Sequence, residues 1–207
     1  MLKLMDNTVG SLTEEQKSIL ISEACELTLF GTLLGDGTMR KKKNAHLEIN
    51  HSYTQKVLVD WIFSKFKDLV ITEPKWRKGN GKREAYRFAT RSLPILTPFY
   101  DQFFPKGKKV IPDHLKLNPV TLAVWFMDDG SKSRSSIYLN TQQFTKDEQT
   151  KLIDLLKNQF GIESSFNKDK IYYRIRIRTR SVKRFIELVK EFVLEEFKYK
   201  FPSVATP

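Results

Sequence analysis

The sequence predicts an α+β fold of two pseudo-symmetric halves, each running α-β-β-α-β-β-α. Antiparallel sheets lie on one side, helices on the other, and two paired helices occupy the centre. Three observations predict it. Two nearly apolar helical segments each end in Asp-Gly, the chain repeats itself with an offset near 90 residues, and one strand alternates arginine with apolar residues.

The repeat is read from matches that keep their order. Leu29-Phe-Gly-Thr-Leu-Leu-Gly-Asp-Gly37 is echoed by Leu122-Ala-Val-Trp-Phe-Met-Asp-Asp-Gly130, so Asp36 and Asp129 lie 129 − 36 = 93 apart. Lys41 and Lys43 match Lys132 and Arg134, Asn50 matches Asn140, and Thr90-Arg-Ser92 matches Thr179-Arg-Ser181. Lys109 and Lys200 are also partners, 200 − 109 = 91 apart. The expected division is an N-terminal half over 1–108, a linker over 109–118 and a C-terminal half over 119–207.

Local signals place the elements. Thr13-Glu-Glu-Gln16 is a capping-box start for a first helix, and the Asp36 helix follows. Strands are expected within Thr38 to Asn50 and Trp76 to Arg91, with a helix from Gln55 to Phe66 between them and a closing helix from Ser92 to Phe104. Asn118-Pro119 is an N-cap and N1 pair that opens a helix to Asp128 or Asp129. Thr145-Lys-Asp-Glu148 caps a helix to about Phe160, a strand spans Lys170 to Arg180, and the last helix spans Val182 to Phe197.

Composition narrows the function classes. The 207 residues carry 36 Lys plus Arg against 24 Asp plus Glu, a net charge of +12, spread along the chain. A folded protein this basic is expected to meet nucleic acid. The single cysteine, Cys25, excludes an internal disulfide and reads as a small buried hydrophobe. His46, His51 and His114 show no zinc spacing, and no Walker or G-x-G-x-x-G pattern occurs. The longest apolar run, Leu27 to Gly35, is too short to span a bilayer, and Met1 to Gly10 lacks a signal-peptide core. The expectation is a soluble, intracellular protein of a reducing compartment with no membrane partner.

The two Asp-Gly helices carry the chemistry. A helix apolar on nearly every face is buried, and the simplest partner for each is the other. Gly31 and Gly35, four apart, allow close approach. If the helices pair in parallel, Asp36 and Asp129 meet at helix C-termini, where dipole and mutual repulsion disfavour both charges. A divalent cation, Mg²⁺ by its taste for hard oxygen, resolves this, with the carbonyls of Gly35 and Asp128 as further ligands.

These two nonapeptides resemble the motifs of single-chain LAGLIDADG homing endonucleases of the intron-encoded type. Leu-Asn-Thr-Gln-Gln-Phe-Thr, residues 139–145, and the Tyr199-Lys-Phe-Pro202 ending are similar too. The first motif departs from the family name at Leu34 and Gly35, outside the metal-binding acid. The resemblance implies saddle-shaped antiparallel sheets for DNA above the paired motif helices, and a monomer that makes a double-strand break in a long asymmetric DNA site by metal-dependent hydrolysis, with short 3′ overhangs. It also implies that Lys109 and Lys200 reach toward the metal site, while Gln142 and the region of Glu48 and Asn50 line it.

The DNA contacts are read from strand parity. In Tyr173-Arg-Ile-Arg-Ile-Arg-Thr-Arg180, residues Arg174, Arg176, Arg178 and Arg180 share one face and Ile175 and Ile177 the other. Arg83, Arg87 and Arg91 hold the matching parity in the first half, with Tyr86 and Phe88 apolar-side. Lys75, Arg77, Lys82, Lys168 and Lys170 flank these strands, and Lys41, Lys43, Lys132 and Arg134 follow the motifs; all are read as DNA contacts. Trp61, Trp76 and Trp125 are read as packing. Rival readings on the same scaffold are a maturase that binds its own intron RNA and a DNA-binding regulator without catalysis.

Overall fold

The computed structural model describes residues 21–78 and 84–203. The capping box at Thr13, together with Lys82 and Arg83, lies outside them. The first half runs α1 (Glu23–Leu34), β1 (Thr38–Lys41), β2 (Ala45–Ser52), α2 (Lys56–Phe66), β3 (Lys75–Lys78), β4 (Glu84–Ala89) and α3 (Thr97–Phe103). The second runs α4 (Pro119–Asp129), β5 (Gly130–Ser133), β6 (Ser136–Leu139), α5 (Lys146–Phe160), β7 (Ser164–Asp169), β8 (Tyr172–Ile177) and α6 (Thr179–Val189). Each half forms a four-stranded antiparallel sheet, ordered β1-β2-β4-β3 and β5-β6-β8-β7, so the predicted α+β duplication is the observed architecture. No helix among the described residues is long and apolar enough to cross a membrane.

The capping chemistry works as the sequence indicates. The Asn118 side chain accepts from the Val120 backbone at 2.8 Å, with Pro119 in the first helical position. Thr145 and Glu148 close a full capping box, and α5 ends where Gly161 turns left-handed at φ 67°.

The apolar helices α1 and α4 pack on each other at the centre. Leu29, Leu33, Leu34, Leu122, Val124, Trp125, Phe126 and Met127 are all fully buried. Their approach depends on glycine. A Cβ at Gly31 would lie 2.5 Å from Cβ of Val124 and 2.8 Å from the Thr121 carbonyl oxygen. The Thr121 hydroxyl crosses the same seam to the Leu27 carbonyl at 3.1 Å.

Three elements differ from expectation. The closing segment of the first half is a 3-10 turn at Pro94–Leu96 followed by a helix only from Thr97, because Leu93 before Pro94 is held extended. The last helix begins at Thr179 and ends at Val189, and a separate 3-10 helix covers Glu195–Lys200. The strand predicted to reach Arg180 therefore stops at Ile177, where pairing with both β6 and β7 ends.

Candidate active site and nucleic-acid interface

Asp129 is the last residue of α4, and Asp36 follows Gly35, which caps α1. The paired helices bring both acids to one open cleft of about 410 Å³, lined with Asn140, Gln142 and Gln143. Asp36 is exposed and Asp129 half-buried. Burial first, then the charges of Asp36 and Asp128, push the Asp129 carboxyl up to about 8. The Asn140 backbone donates to the Asp129 carbonyl at 3.1 Å and anchors the turn into β5.

Asp128 does not point into that cleft. Its buried carboxyl fills the space that a side chain at position 35 would need: a Cβ there would lie 2.7 Å from Cγ of Asp128. One carboxylate oxygen accepts the Asp36 backbone N–H at 2.9 Å. The other lies 3.3 Å from Nε2 of His51, also buried, with geometry that makes no hydrogen bond. Burial lowers the His51 imidazole and raises the Asp128 carboxyl to about 7, so this contact is not an ion pair of two full charges.

Two lysines bracket the acids. Lys109 donates to the Gly35 carbonyl at 2.8 Å, and Lys200 to the Met127 carbonyl at 2.6 Å. Burial pulls Lys109 down to about 8 and lowers Lys200 as well, while the three aspartates oppose both shifts. Sequence reasoning missed two glutamines that cross between the halves. The Gln143 amide donates to the Gly35 carbonyl at 3.1 Å, and the Gln55 amide to the Asp128 carbonyl at 3.4 Å. The signal that could have found them is their spacing, 143 − 55 = 88, close to the repeat offset. Gln142 also lines the cleft, its amide tied to Asp169 at 2.9 Å. The Gly35 carbonyl thus accepts from Lys109 and Gln143 together, which leaves it little capacity as a metal ligand.

Strand register sorts the basic residues. On the sheet face turned away from the helices, Arg87 sits between Asn50 and Lys75, with Arg77 one pair further along opposite Ala85. In the second sheet, Arg176 lies between Tyr138 and Ser165 and donates twice to the Ser136 hydroxyl, at 3.0 and 2.8 Å. Arg174 lies opposite Asn167 and stacks over Tyr138 at 4.1 Å. Ile175, Ile177, Tyr86 and Phe88 face the core, as the alternation predicts.

Other readings need correction. Arg178 and Arg180 are not on the strand face: Arg178 is the N-cap of α6 and Arg180 lies in its first turn, paired with Glu163. They still meet Arg176, with Ser165 and Thr179, around an open groove of about 450 Å³. Lys41, Lys132 and Lys168 sit opposite Ala45, Ile137 and Tyr173, on the helix-side parity, and Lys41 pairs with Asp101 at 2.7 Å. Arg91 is past β4 and donates to the Asp68 carbonyl at 3.1 Å. Lys43, Arg134 and Lys170 are exposed at hairpin turns, the last two with φ of 46° and 55°. Arg40, opposite His46 and paired with Glu48, takes the outer-face position next to Lys41 in β1.

The model of the LAGLIDADG DNA endonuclease family matches residues 27–185. A relative from Wickerhamomyces canadensis named "Probable intron-encoded endonuclease 1" is 33% identical over 198 residues, covering 87% of this chain and 84% of that protein. A Debaryomyces hansenii relative named "Cytochrome b mRNA maturase bI2" is 26% identical, covering 83% and 71%. Among solved structures, the homing endonuclease I-WcaI bound to its DNA recognition sequence superposes with a TM-score of 0.81 at 27% identity, covering 96% of this chain and 92% of that one. The chain belongs to the LAGLIDADG DNA endonuclease family.

Proposed function

We propose that this chain, acting as a monomer, cuts both strands of a long asymmetric DNA site by metal-dependent phosphodiester hydrolysis. One observation carries the reading: Asp36 and Asp129, one from each half, open into a single cleft, and the sheet of each half carries arginine on its outer face. The similarity to I-WcaI with its bound DNA supports a double-stranded DNA partner for the same surface. We take the halves to be residues 1–108 and 119–207, joined through 109–118, so that one chain supplies both acids.

The donor set fits a divalent cation. The carboxylates of Asp36 and Asp129 are hard oxygen ligands, and both line one cleft; burial first, then the neighbouring acids, disfavours the Asp129 charge in the absence of a cation. The Asp128 carbonyl, with one weak donor at 3.4 Å, keeps a lone pair free. We infer Mg²⁺ as the physiological ion; structurally similar nucleases are described with manganese or with calcium. Held by Asp36 and Asp129, such an ion would supply activation of water and stabilisation of the departing oxygen. The chain's own residues do the rest. Arg87, Arg174 and Arg176 with Lys75 and Arg77 hold and orient the duplex. Lys109 and Lys200 place two ammonium groups beside the acids, where phosphate charge would gather. Gln142, Gln143 and Asn140 line the cleft and fix its polar wall.

The test is cleavage of DNA carrying the gene's flanks joined across the insertion, in Mg²⁺, by the chain and by Asp36→Asn and Asp129→Asn. Wild type should cut, and both variants should bind without cutting, because phosphate contacts supply most of the affinity. Full cutting by both variants would refute the assignment of the acids. The maturase-named relatives favour intron RNA as a second partner, which a binding titration with that RNA checks.

A further inference from the structure

We propose that His51, Asp128 and Asp36 form a second cation site, behind the acid pair, suited to a first-row transition metal such as Zn²⁺ or Co²⁺. The ligand atoms these three side chains offer lie within 4.8 Å of one another. Two of them are buried orphans. Nε2 of His51 and one carboxylate oxygen of Asp128 have no hydrogen-bond partner among the described residues, yet they face each other at 3.3 Å, with side-chain exposures of 2% and 0%.

That spacing has a simple chemical reading. Two ligand atoms each about 2.1 Å from a shared ion lie about 3.0 Å apart in an octahedral shell and about 3.4 Å apart in a tetrahedral one. An unmet imidazole nitrogen and an unmet carboxylate oxygen at 3.3 Å therefore hold the separation of neighbouring ligands on one metal. The other Asp128 oxygen is pinned by the Asp36 N–H, which fixes the carboxylate and keeps the Asp36 side chain at hand. One nitrogen and two carboxylates suit zinc, cobalt or manganese better than magnesium, which prefers oxygen alone.

The site belongs to one half only. The residue that follows Asn140, as His51 follows Asn50, is Thr141, whose hydroxyl is engaged by the Ile175 N–H at 3.2 Å. The residue that precedes Asp36, as Asp128 precedes Asp129, is Gly35. The duplicated design thus requires neither His51 nor Asp128. Lys109 and Lys200 lie close enough to act on Asp128, but they donate to the Gly35 and Met127 carbonyls and leave one Asp128 oxygen without a hydrogen bond, and two lysines face three aspartates. A metal here would tie β2 of one half to α4 of the other and hold the Asp36 turn. The site does not depend on the nuclease reading.

The experiment is a Co²⁺ titration of metal-free, DNA-free protein, followed by visible absorption and calorimetry. Wild type should take up Co²⁺ with ligand-field bands, and the uptake that persists in Asp129→Asn reports this site. His51→Gln and Asp128→Asn should each weaken that uptake at least about tenfold, while Asp129→Asn should retain it. No uptake by wild type would overturn the proposal. So would uptake unchanged in His51→Gln and Asp128→Asn, or uptake lost with Asp129→Asn, which would place the ion on the acid pair. If Asp128→Asn fails to fold, the comparison of His51→Gln with Asp129→Asn still decides. Because Mg²⁺-dependent DNA cutting is scored separately, failure of this site and failure of the nuclease reading are distinguishable.

Discussion

Replacing Asp129 with Asn should stabilise the metal-free protein, and by more at pH 8 than at pH 5. The Asp129 carboxyl rises from 3.8 to about 8 on folding, chiefly through burial and then through Asp36 and Asp128. Across that window the folded state holds a proton that the unfolded chain has released, so stability falls as pH climbs. Each pH unit is worth about 1.4 kcal/mol if one group carries the whole effect, giving an upper bound of about 4 kcal/mol between pH 5 and 8. The Asp128 carboxyl is raised as well and is coupled to it, and the open cleft screens the charge, so about 1–3 kcal/mol is the working figure. For a chain of 207 residues that is a gain of about 2–12 °C in melting temperature at pH 8. Asparagine keeps an acceptor for Asn140 and removes only the charge. Thermal melts of both proteins in chelator, at pH 5 and pH 8, make the measurement. Saturating divalent cation should then reverse the order, because wild type gains binding free energy that the variant lacks. An equal gain at both pH values, or a loss at pH 8, would refute the view that Asp129 is held against its own charge.

Four further outcomes rest on the geometry. Gly31→Ala forces a methyl to within 2.5 Å of Val124 Cβ, and overpacking of about 1–3 kcal/mol should lower the melting temperature by about 2–12 °C. Arg176→Ala should cost about 1–3 kcal/mol of affinity if it reads a base, or shallow the salt slope by about one if it meets a phosphate. Ile175→Ala should instead cost about 2–5 kcal/mol of stability in a urea titration. Lys41→Ala should leave DNA affinity and its salt dependence nearly unchanged, since its ammonium pairs with Asp101 on the helix side, whereas Arg40→Ala should reduce both; filter binding across a salt series checks the pair.

The central helix pair was legible because burial leaves a crude mark: two segments apolar on every side have nowhere to go but against each other. The repeat then located Asp36 and Asp129 as a pair. What stayed hidden depends on register and on contacts across the seam. Parity along a strand says which residues share a face, but the turn between strands decides which partner each residue meets. Lys41, Lys132 and Lys168 therefore fell on the helix side while Arg40 fell outward. Arg178 and Arg180 continue the alternation in sequence, yet the sheet ends at Ile177 and the chain turns into a helix. For Asp128 the sequence suggested a role for the carbonyl alone; only the packing against Gly35 shows that its side chain goes inward.

That inward turn explains why the two halves cannot be interchangeable. A strict two-fold would place a side chain at position 35 where the Asp128 carboxyl now lies, and the two would collide. Glycine on one helix is thus the condition for aspartate on the other. The same carboxylate holds the Asp36 backbone, while Gln143 reaches the Gly35 carbonyl and Gln55 the Asp128 carbonyl. Each acid's turn is therefore held in part by the opposite half. The polar bonds across the seam would be lost if the helices parted, and apolar helices alone would fix the approach but not the register of the acids. Close packing brings the two helices together, and these few crossing hydrogen bonds set where Asp36 and Asp129 stand within the cleft.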